Sequence, residues 1–213
     1  MTNFIPIFPL GIVVYPGENL NLHIFEPRYK QLINECHIAK KPFGIPAVIQ
    51  NKVQEYGTLV EILELSEVYE NGEMDIKTKG LAIFRILEVI EELPDKMYSG
   101  AIVNYPATRE RGNPEIMRKI MAEVHQLHQL LKVTKDFKKE DHLLTAYEVA
   151  HHVGLSVDEE YELLTLPDER QRQEYLKRHL AKALPMLAGM EELKEKIKLN
   201  GHFKNLGGVD LGK

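Results

Sequence analysis

The sequence has little of several features on which common classes of protein depend. Its 213 residues contain one cysteine, Cys36, and no tryptophan. A lone cysteine forms no intrachain disulfide, which is typical of proteins from a reducing compartment. No apolar run reaches the ~18 residues of a membrane helix, and the start, Met-Thr-Asn-Phe-Ile-Pro, lacks the basic and apolar regions of a signal peptide. We therefore expect a cytoplasmic protein with no membrane segment.

Motifs for nucleotide and nucleophile chemistry are missing as well. Neither the phosphate loop, GxxxxGK followed by Ser or Thr, nor the dinucleotide fingerprint GxGxxG occurs. The three serines are Ser66, Ser99 and Ser156, and none stands in a nucleophile elbow. Cys36 and His37 are neighbours on a predicted helix, where adjacent side chains point ~100° apart and do not pair. These absences argue against nucleotide hydrolysis and against a serine or cysteine nucleophile.

The histidines do not form a metal motif. His125 and His128 lie three residues apart on a predicted helix, but no HExxH pattern and no carboxylate at the spacing of zinc enzymes accompanies them. His151 and His152 are adjacent and cannot easily face one ion. We predict no metal site, no cofactor and no catalytic residue.

The charge is uneven along the chain. Residues 1–105 contain 14 acidic and 9 basic residues, a net charge of −5, whereas residues 106–213 contain 18 of each. A broad surface of the first part would repel phosphate groups. We therefore do not expect a nucleic acid as partner.

Hydrophobic periodicity divides the chain into two parts. In the first, residues 1–108, short apolar runs alternate with polar residues as in strands. Pro27 suits the first position of a short helix, and Asn71-Gly72 is a hairpin signal. Gly80 predicts a bulge or a break in the sheet. We predict about six strands and one short helix, curled into a mostly antiparallel sheet or small barrel.

The second part has helical periodicity. Five apolar residues repeat at intervals of 4, 4, 3 and 4 and form one stripe: Ile116, Ile120, Val124, Leu127 and Leu131. Further helices are predicted over about 140–153, from a capping box that begins at Ser156, and from near Pro167. We predict a helical bundle over 109–199 and a flexible tail over 200–213, and hence an α+β protein.

The cluster Glu26-Pro27-Arg28-Tyr29 stands where a strand gives way to a helix. A catalytic carboxylate needs a base, a second carboxylate or a metal nearby, and the sequence offers none. Glu26 would lie near the positive end of the helix dipole, and Arg28 could pair with an acid across a strand end. A structural role for this corner is therefore the better hypothesis.

The long run IPIFPLGIVVYPGENLNLHIFEPRYKQLI resembles the opening of the Lon protease N-terminal, substrate-binding domain. That family has a pattern like (L/I)P(L/I)FPL, then PG, then LxIFExRY, and this chain matches it at Pro6, Phe8, Pro9, Leu10, Pro16, Gly17, Leu22, Ile24, Phe25, Glu26, Arg28 and Tyr29. Later landmarks also match: Gly57-Thr58, Asn71-Gly72 and Phe84-Arg85-Ile86. The resemblance covers about residues 3–190, although Ala82-Ile83 replace the family's usual Arg region.

The resemblance implies a PUA-like pseudo-β-barrel followed by a helical bundle, in agreement with the change of periodicity. It implies a stand-alone, non-enzymatic module, since the ATPase and Ser-Lys protease domains of the full proteases are missing. The implied function is binding of unfolded or exposed polypeptide segments, as an adaptor or substrate selector for a protease or chaperone. The segment would bind in a groove between barrel and bundle or at a sheet edge. Candidate peptide contacts are Tyr15, His23, Phe25 and Phe84.

Two other functions stay open. PUA-like folds elsewhere bind RNA, although the acidic first part argues against it. A small enzyme could assemble its site from scattered residues, for which Glu26, Arg28 and His23 are the candidates. A deep cleft in which these three side chains converge would favour the enzyme.

Overall fold

The first part of the chain folds as an antiparallel sheet with one helix packed against it. The computed structural model describes residues 3–204. The elements of this part are β1 (Asn3–Pro6), β2 (Asn19–Ile24), α1 (Pro27–Ala39), β3 (Phe43–Ile49), β4 (Lys52–Val68), β5 (Met74–Ile90) and β6 (Gly100–Asn104). The number of strands and the short helix agree with the prediction, although β1 was not among the predicted strands and the two segments predicted on either side of Gly80 form the single strand β5.

The sheet closes on itself at one end. Its strands follow the order β1-β6-β5-β4-β3 with antiparallel pairing throughout. The segment after β1 then pairs in parallel with β3 at Ile7–Gly44 and Leu10–Ala47, which joins the two outer strands into a barrel. β4 and β5 are each 17 residues long. Their far halves pass beyond the barrel, where β2 pairs with β5, and we call this three-stranded extension β2-β5-β4 the ribbon.

Two glycines shape the ribbon. Gly72 has φ of +76°, and the preceding Asn71 accepts the Glu73 N–H at 3.0 Å, so the predicted hairpin turn is confirmed. The β4–β5 register shifts between Leu59 and Val60, which leaves an extra residue on β5 beside Gly80, as the predicted bulge requires. A Cβ atom at Gly80 would collide with the Tyr15 carbonyl oxygen, so close packing demands glycine here.

The second part of the chain is helical. It contains α2 (Pro114–Leu131), a 3₁₀ turn (Asp141–Leu143), α3 (Ala146–Ala150), α4 (Val157–Thr165) and α5 (Glu169–Lys204). The Asn113 side chain accepts the N–H groups of the first turn of α2, and Ser156 forms the predicted capping box with Glu159. The predicted α+β class is thus confirmed. Among the described residues, no helix combines the length and the apolar character that a membrane span requires.

Three features differ from the predictions. The helix predicted over 140–153 is wrong, because Thr145 forms a capping box with Glu148 that starts α3 and leaves only the 3₁₀ turn before it. β1 was not predicted, since its four residues have no alternation and pair only with the distant β6. α5 continues to Lys204 into the predicted tail, and the rest of that tail, 205–213, lies outside the described residues.

The two parts share one hydrophobic core. Residues of the sheet and of α2–α5 pack in a single buried cluster, to which the sheet part contributes Val13, Tyr15, Ala47 and Ile83. A second cluster lies between α1 and the ribbon and includes Leu32 and Ile76. Because the largest core crosses between the parts, its residues are buried only where the sheet and the helices pack together.

Candidate functional site

The strand-to-helix corner is held by local contacts. Glu26 is the N-cap residue of α1 and Pro27 its first residue. The Arg28 Nε and Nη2 atoms lie 2.9 and 2.8 Å from Glu26 Oε2, and the guanidinium stands 4.5 Å over the Tyr29 ring. The prediction that Arg28 pairs with an acid across a strand end is therefore wrong, because its partner is Glu26, two residues earlier in the chain. Tyr29 is buried with its ring 4.0 Å from that of Phe8, which fits a structural role for the corner.

Three rings stand together on the outer face of the ribbon, and we call them the aromatic cluster: His23, Phe25 and Tyr69. His23 Nδ1 lies 2.7 Å from Asp75 Oδ1. The ring centroids of Phe25 and Tyr69 lie 6.1 and 5.9 Å from that of His23. Phe25 is 59% exposed, so a rigidly backed apolar ring faces solvent.

Carboxylates fix the orientation of the aromatic cluster. Asp75 binds His23 and also accepts the Tyr69 hydroxyl at 2.8 Å, while Glu73 lies 3.3 Å from the second nitrogen of His23. The hydrogen bonds to His23 and Tyr69 lower the pKa of Asp75, and the bond to Asp75 raises the pKa of His23. The hydrogen bond that the Tyr69 hydroxyl donates to Asp75 raises the pKa of Tyr69 to about 12. These groups are thus a neutral phenol, an ionised carboxylate and an imidazole whose charged form is stabilised by the neighbouring carboxylates.

The aromatic cluster adjoins an open edge of the sheet. β2 pairs only with β5, and within residues 3–204 no strand lies along its other edge. The outward side chains of β2 are Asn19, Asn21 and His23, all exposed. An unpaired edge offers N–H and C=O groups to an extended peptide, and alternate pockets or rings select its side chains. The arrangement can therefore bind a polypeptide strand.

Tyr15 and Phe84 do not belong to this surface. Tyr15 is 1% exposed, its hydroxyl donates to the Glu160 carbonyl at 3.0 Å, and its ring stacks on Tyr147 at 4.8 Å. Phe84 is fully buried in the barrel core. Their prediction as peptide contacts is wrong, because both side chains face inward where a peptide has no access.

A second histidine joins the sheet to the helices. His151 Nδ1 lies 2.7 Å from Glu160 Oε1 on α4, and its Nε2 lies 3.2 Å from Glu18 Oε2, just before β2. Its ring is 4.8 Å from that of Tyr15. Burial lowers the pKa of His151, but the hydrogen bonds to Glu160 and Glu18 outweigh burial and raise the pKa to about 9. This imidazole was not predicted to have a role.

A cleft lies between the sheet and the helices, where a groove was predicted. Its volume is ~350 Å³, and Phe137, Leu144 and Tyr147 line it together with Lys135 and Lys138. Lys139, at the same rim, is held by Glu148 at 2.7 Å. The cleft is shallow, and its floor at Tyr15 belongs to the shared core. It offers less strand-like backbone to a peptide than the edge of β2 does.

The candidates for catalysis do not converge. Glu26 and Arg28 bind each other, whereas His23 is held by Asp75 and Glu73. Burial raises the pKa of Cys36 to about 11, which disfavours a thiolate. In the part of the chain that the structure describes, no group of three His, Cys, Asp or Glu side chains could hold a metal ion.

The most buried charged group is structural. Arg172 is fully buried, and its guanidinium donates to Glu169 at 2.8 Å, to Glu110 at 2.6 Å and to the Tyr147 hydroxyl at 3.0 Å. Burial of such a charge requires this full set of partners. The cluster ties α5 to α3 and to the linker before α2, which fits a structural role.

The chain is similar to one family of known proteins, in its sequence and in its fold. The profile of the ATP-dependent protease La (LON) substrate-binding domain matches residues 5–182. The crystal structure of a Lon N-terminal domain protein from Xanthomonas campestris is similar, with a TM-score of 0.63 and 23% identity over 83% of this chain and 98% of that chain. The N-terminal domain of the Mycobacterium avium complex Lon protease has a TM-score of 0.61 and 14% identity, over 85% of this chain and 100% of that chain. At these identities the solved structures show a shared fold.

Proposed function

We propose that this chain, which belongs to the ATP-dependent protease La (Lon) substrate-binding domain family, is a non-catalytic module that binds exposed or unfolded polypeptide segments. It would act in the cytoplasm as an adaptor or substrate selector for a protease or chaperone. Two observations support a binding role over an enzymatic one. Cys36 is buried, and the candidates for catalysis, Glu26, Arg28 and His23, do not converge.

The observation that carries this proposal is the aromatic cluster at the open edge of β2. A segment that adds to β2 as a new strand satisfies its backbone groups along Asn19–Ile24. An apolar side chain of that segment can then cover Phe25, whose ring is more than half exposed. Burying one such ring contributes about 1.5–3 kcal/mol. Backbone pairing makes the binding tolerant of sequence, which suits recognition of unfolded chains.

The proposal is tested by titrating the isotope-labelled full chain with a carboxymethylated, permanently unfolded polypeptide and following backbone amide shifts. We expect shifts over Asn19–Ile24 and at Phe25 and Tyr69. Phe25→Ala should weaken binding roughly tenfold, as expected for loss of one aromatic anchor. Phe4→Ala is the matched control, because Phe4 is 52% exposed but lies on β1.

The control variant should bind within about twofold of the wild type. No shifts at high polypeptide concentration would exclude polypeptide binding. Shifts confined to Phe137 and Leu144 would move the site to the cleft between sheet and helices. Displacement of the polypeptide by single-stranded RNA at low salt would favour the RNA-binding alternative, against the net charge of −5 in residues 1–105.

A further inference from the structure

The second edge of the ribbon is also unpaired. The β3–β4 ladder ends at the pair Phe43–Val60. Pro42, immediately before β3, has no N–H and cannot extend that ladder. From Glu61 to Val68, β4 therefore pairs only with β5, with register shifts between Ile62 and Glu64 and between Leu65 and Glu67. No other strand among residues 3–204 lies along this edge. We call residues 61–68 the β4 edge.

A cleft beside the β4 edge has an apolar floor and a basic rim. Its volume is ~380 Å³, and its lining includes Leu63 and Leu81, which are 54% and 41% exposed. Lys40 and Lys41, at the end of α1, stand at the rim. Within the described part of the chain, neither lysine side chain has an ion-pair partner. Glu61 is the acid in the lining.

Charge along the β4 edge is graded. Glu64 and Glu67 lie farther along the strand from the lysines, and Glu64 is paired with Lys77 at 2.8 Å. A ligand carboxylate is therefore favoured at the Lys40 and Lys41 end and repelled beyond it. The same acids oppose pairing of this edge with its equivalent in a second copy, because like charges would face each other.

We propose that the β4 edge binds an extended segment of a partner protein, antiparallel to β4, with apolar residues that end in a glutamate or aspartate at its C-terminal end. The segment's backbone pairs with residues 61–68, its apolar side chains cover Leu63 and Leu81, and its carboxylate lies against Lys40 and Lys41. Two lysines over an apolar floor suit a peptide better than the evenly charged backbone of a nucleic acid. This surface lies across β5 from the edge of β2, so it is independent of the polypeptide bound there.

Three blocked peptides of alternating valine and threonine test the proposal. The first has a glutamate near its C-terminal end, the second a glutamine at that position, and the third the glutamate at its centre. Fluorescence anisotropy with the full chain at low salt should show that the first binds roughly tenfold more tightly than the others. The advantage should shrink at high salt because exposed charges are screened. Hydrogen exchange at residues 61–68 should slow more with the first peptide than with the other two, whereas any protection at 19–24 should be equal for all three.

Variants of the two lysines test where the carboxylate of the peptide binds. Lys40→Gln combined with Lys41→Gln should reduce binding of the first peptide to that of the second. Lys132→Gln is the matched control, since Lys132 also caps a helix in the left-handed conformation and should leave binding unchanged. Equal binding of all three peptides would overturn the proposal. So would protection at 19–24 in place of 61–68, preferential binding of an oligonucleotide to the lysines, or self-association of the chain that covers residues 61–68.

Discussion

Two histidines in this protein are held in nearly the same way, and they serve different ends. His23 lies 2.7 and 3.3 Å from Asp75 and Glu73, and His151 lies 2.7 and 3.2 Å from Glu160 and Glu18. The first side chain is 49% exposed and the second 31% exposed.

The difference lies in what each imidazole joins. The partners of His23 are both on β5 or its turn, and all of them face solvent. His151 bridges the segment before β2 to α4 and packs on buried Tyr15, so it connects the sheet with the helices. The geometry of a charged pair thus does not reveal its role. We expect the His23 group to orient a binding surface and the His151 group to stabilise the fold.

The largest contrast should come from the aromatic neighbours of the two histidines. Tyr15→Ala removes a ring from the shared core and should lower the free energy of unfolding by about 3–5 kcal/mol. Phe25→Ala removes an exposed ring and should change it by less than about 0.5 kcal/mol. Urea unfolding followed by circular dichroism measures both. Comparable losses for the two variants would contradict the assignment of Phe25 to a binding surface.

Replacing the histidines themselves should give a smaller difference in stability, and again the variant at the contact between sheet and helices should be the less stable one. His151→Ala leaves Glu18 and Glu160 without their shared partner and should cost about 1–2 kcal/mol of unfolding free energy. His23→Ala should leave the urea midpoint unchanged, because its ion pairs are solvent-exposed. A destabilised His23→Ala protein would show that the ribbon depends on this pair.

The pH dependence of stability should separate the two groups. Because the pKa of His151 is raised to about 9 when folded, its stabilising effect is complete below its ordinary pKa near 6.5 and is lost as the pH rises through about 9. The pKa of His152 is lowered chiefly by burial, so this residue affects stability in the opposite sense: stability is lost as the pH falls below the ordinary histidine pKa near 6.5. The wild type and His23→Ala should lose stability between about pH 6.5 and 9. His151→Ala should lose most of this slope and keep only the smaller contribution of the exposed His23, whose pKa is also raised; an unchanged slope would assign the effect to another group.

The smallest effect is spectroscopic. Asp75→Asn should leave the thermal midpoint unchanged, since the pair is exposed, but should lower the pKa of Tyr69 from about 12 towards its ordinary value. Ultraviolet titration of the phenolate, with Glu64→Gln as control, measures this change. An unchanged Tyr69 titration would mean that Asp75 does not orient the ring.

Local chemistry made much of the fold predictable. The Asn71-Gly72 turn, the Gly80 bulge, the Asn113 cap and the Ser156 capping box each depend on a few neighbouring residues, and all are present. β1 was missed because only its pairing with distant β6 makes it a strand. The break before α3 was missed although Thr145 and Glu148 form a capping box, which was a readable signal.

The candidate site was only partly predictable. His23 and Phe25 stand out in sequence because they follow the alternation of β2. Tyr69 and Asp75 could have been placed near each other by counting back from the hairpin turn, but the β2–β5 pairing that brings His23 to Asp75 spans 52 residues. Tyr15 and Phe84 were misassigned because an aromatic residue in a strand has the same pattern whether it packs inward or binds a ligand.

The shared core has a mechanical consequence. A pull along a chain captured on β2 would load the β2–β5 hydrogen bonds in shear, so that they resist together and do not open one after another. β5 continues into the barrel, and Ile83 on that strand packs in the same cluster as Leu176 and Leu180 of α5. Because this shared core links β5 to the long helix, tension on the captured chain reaches α5 through packed side chains.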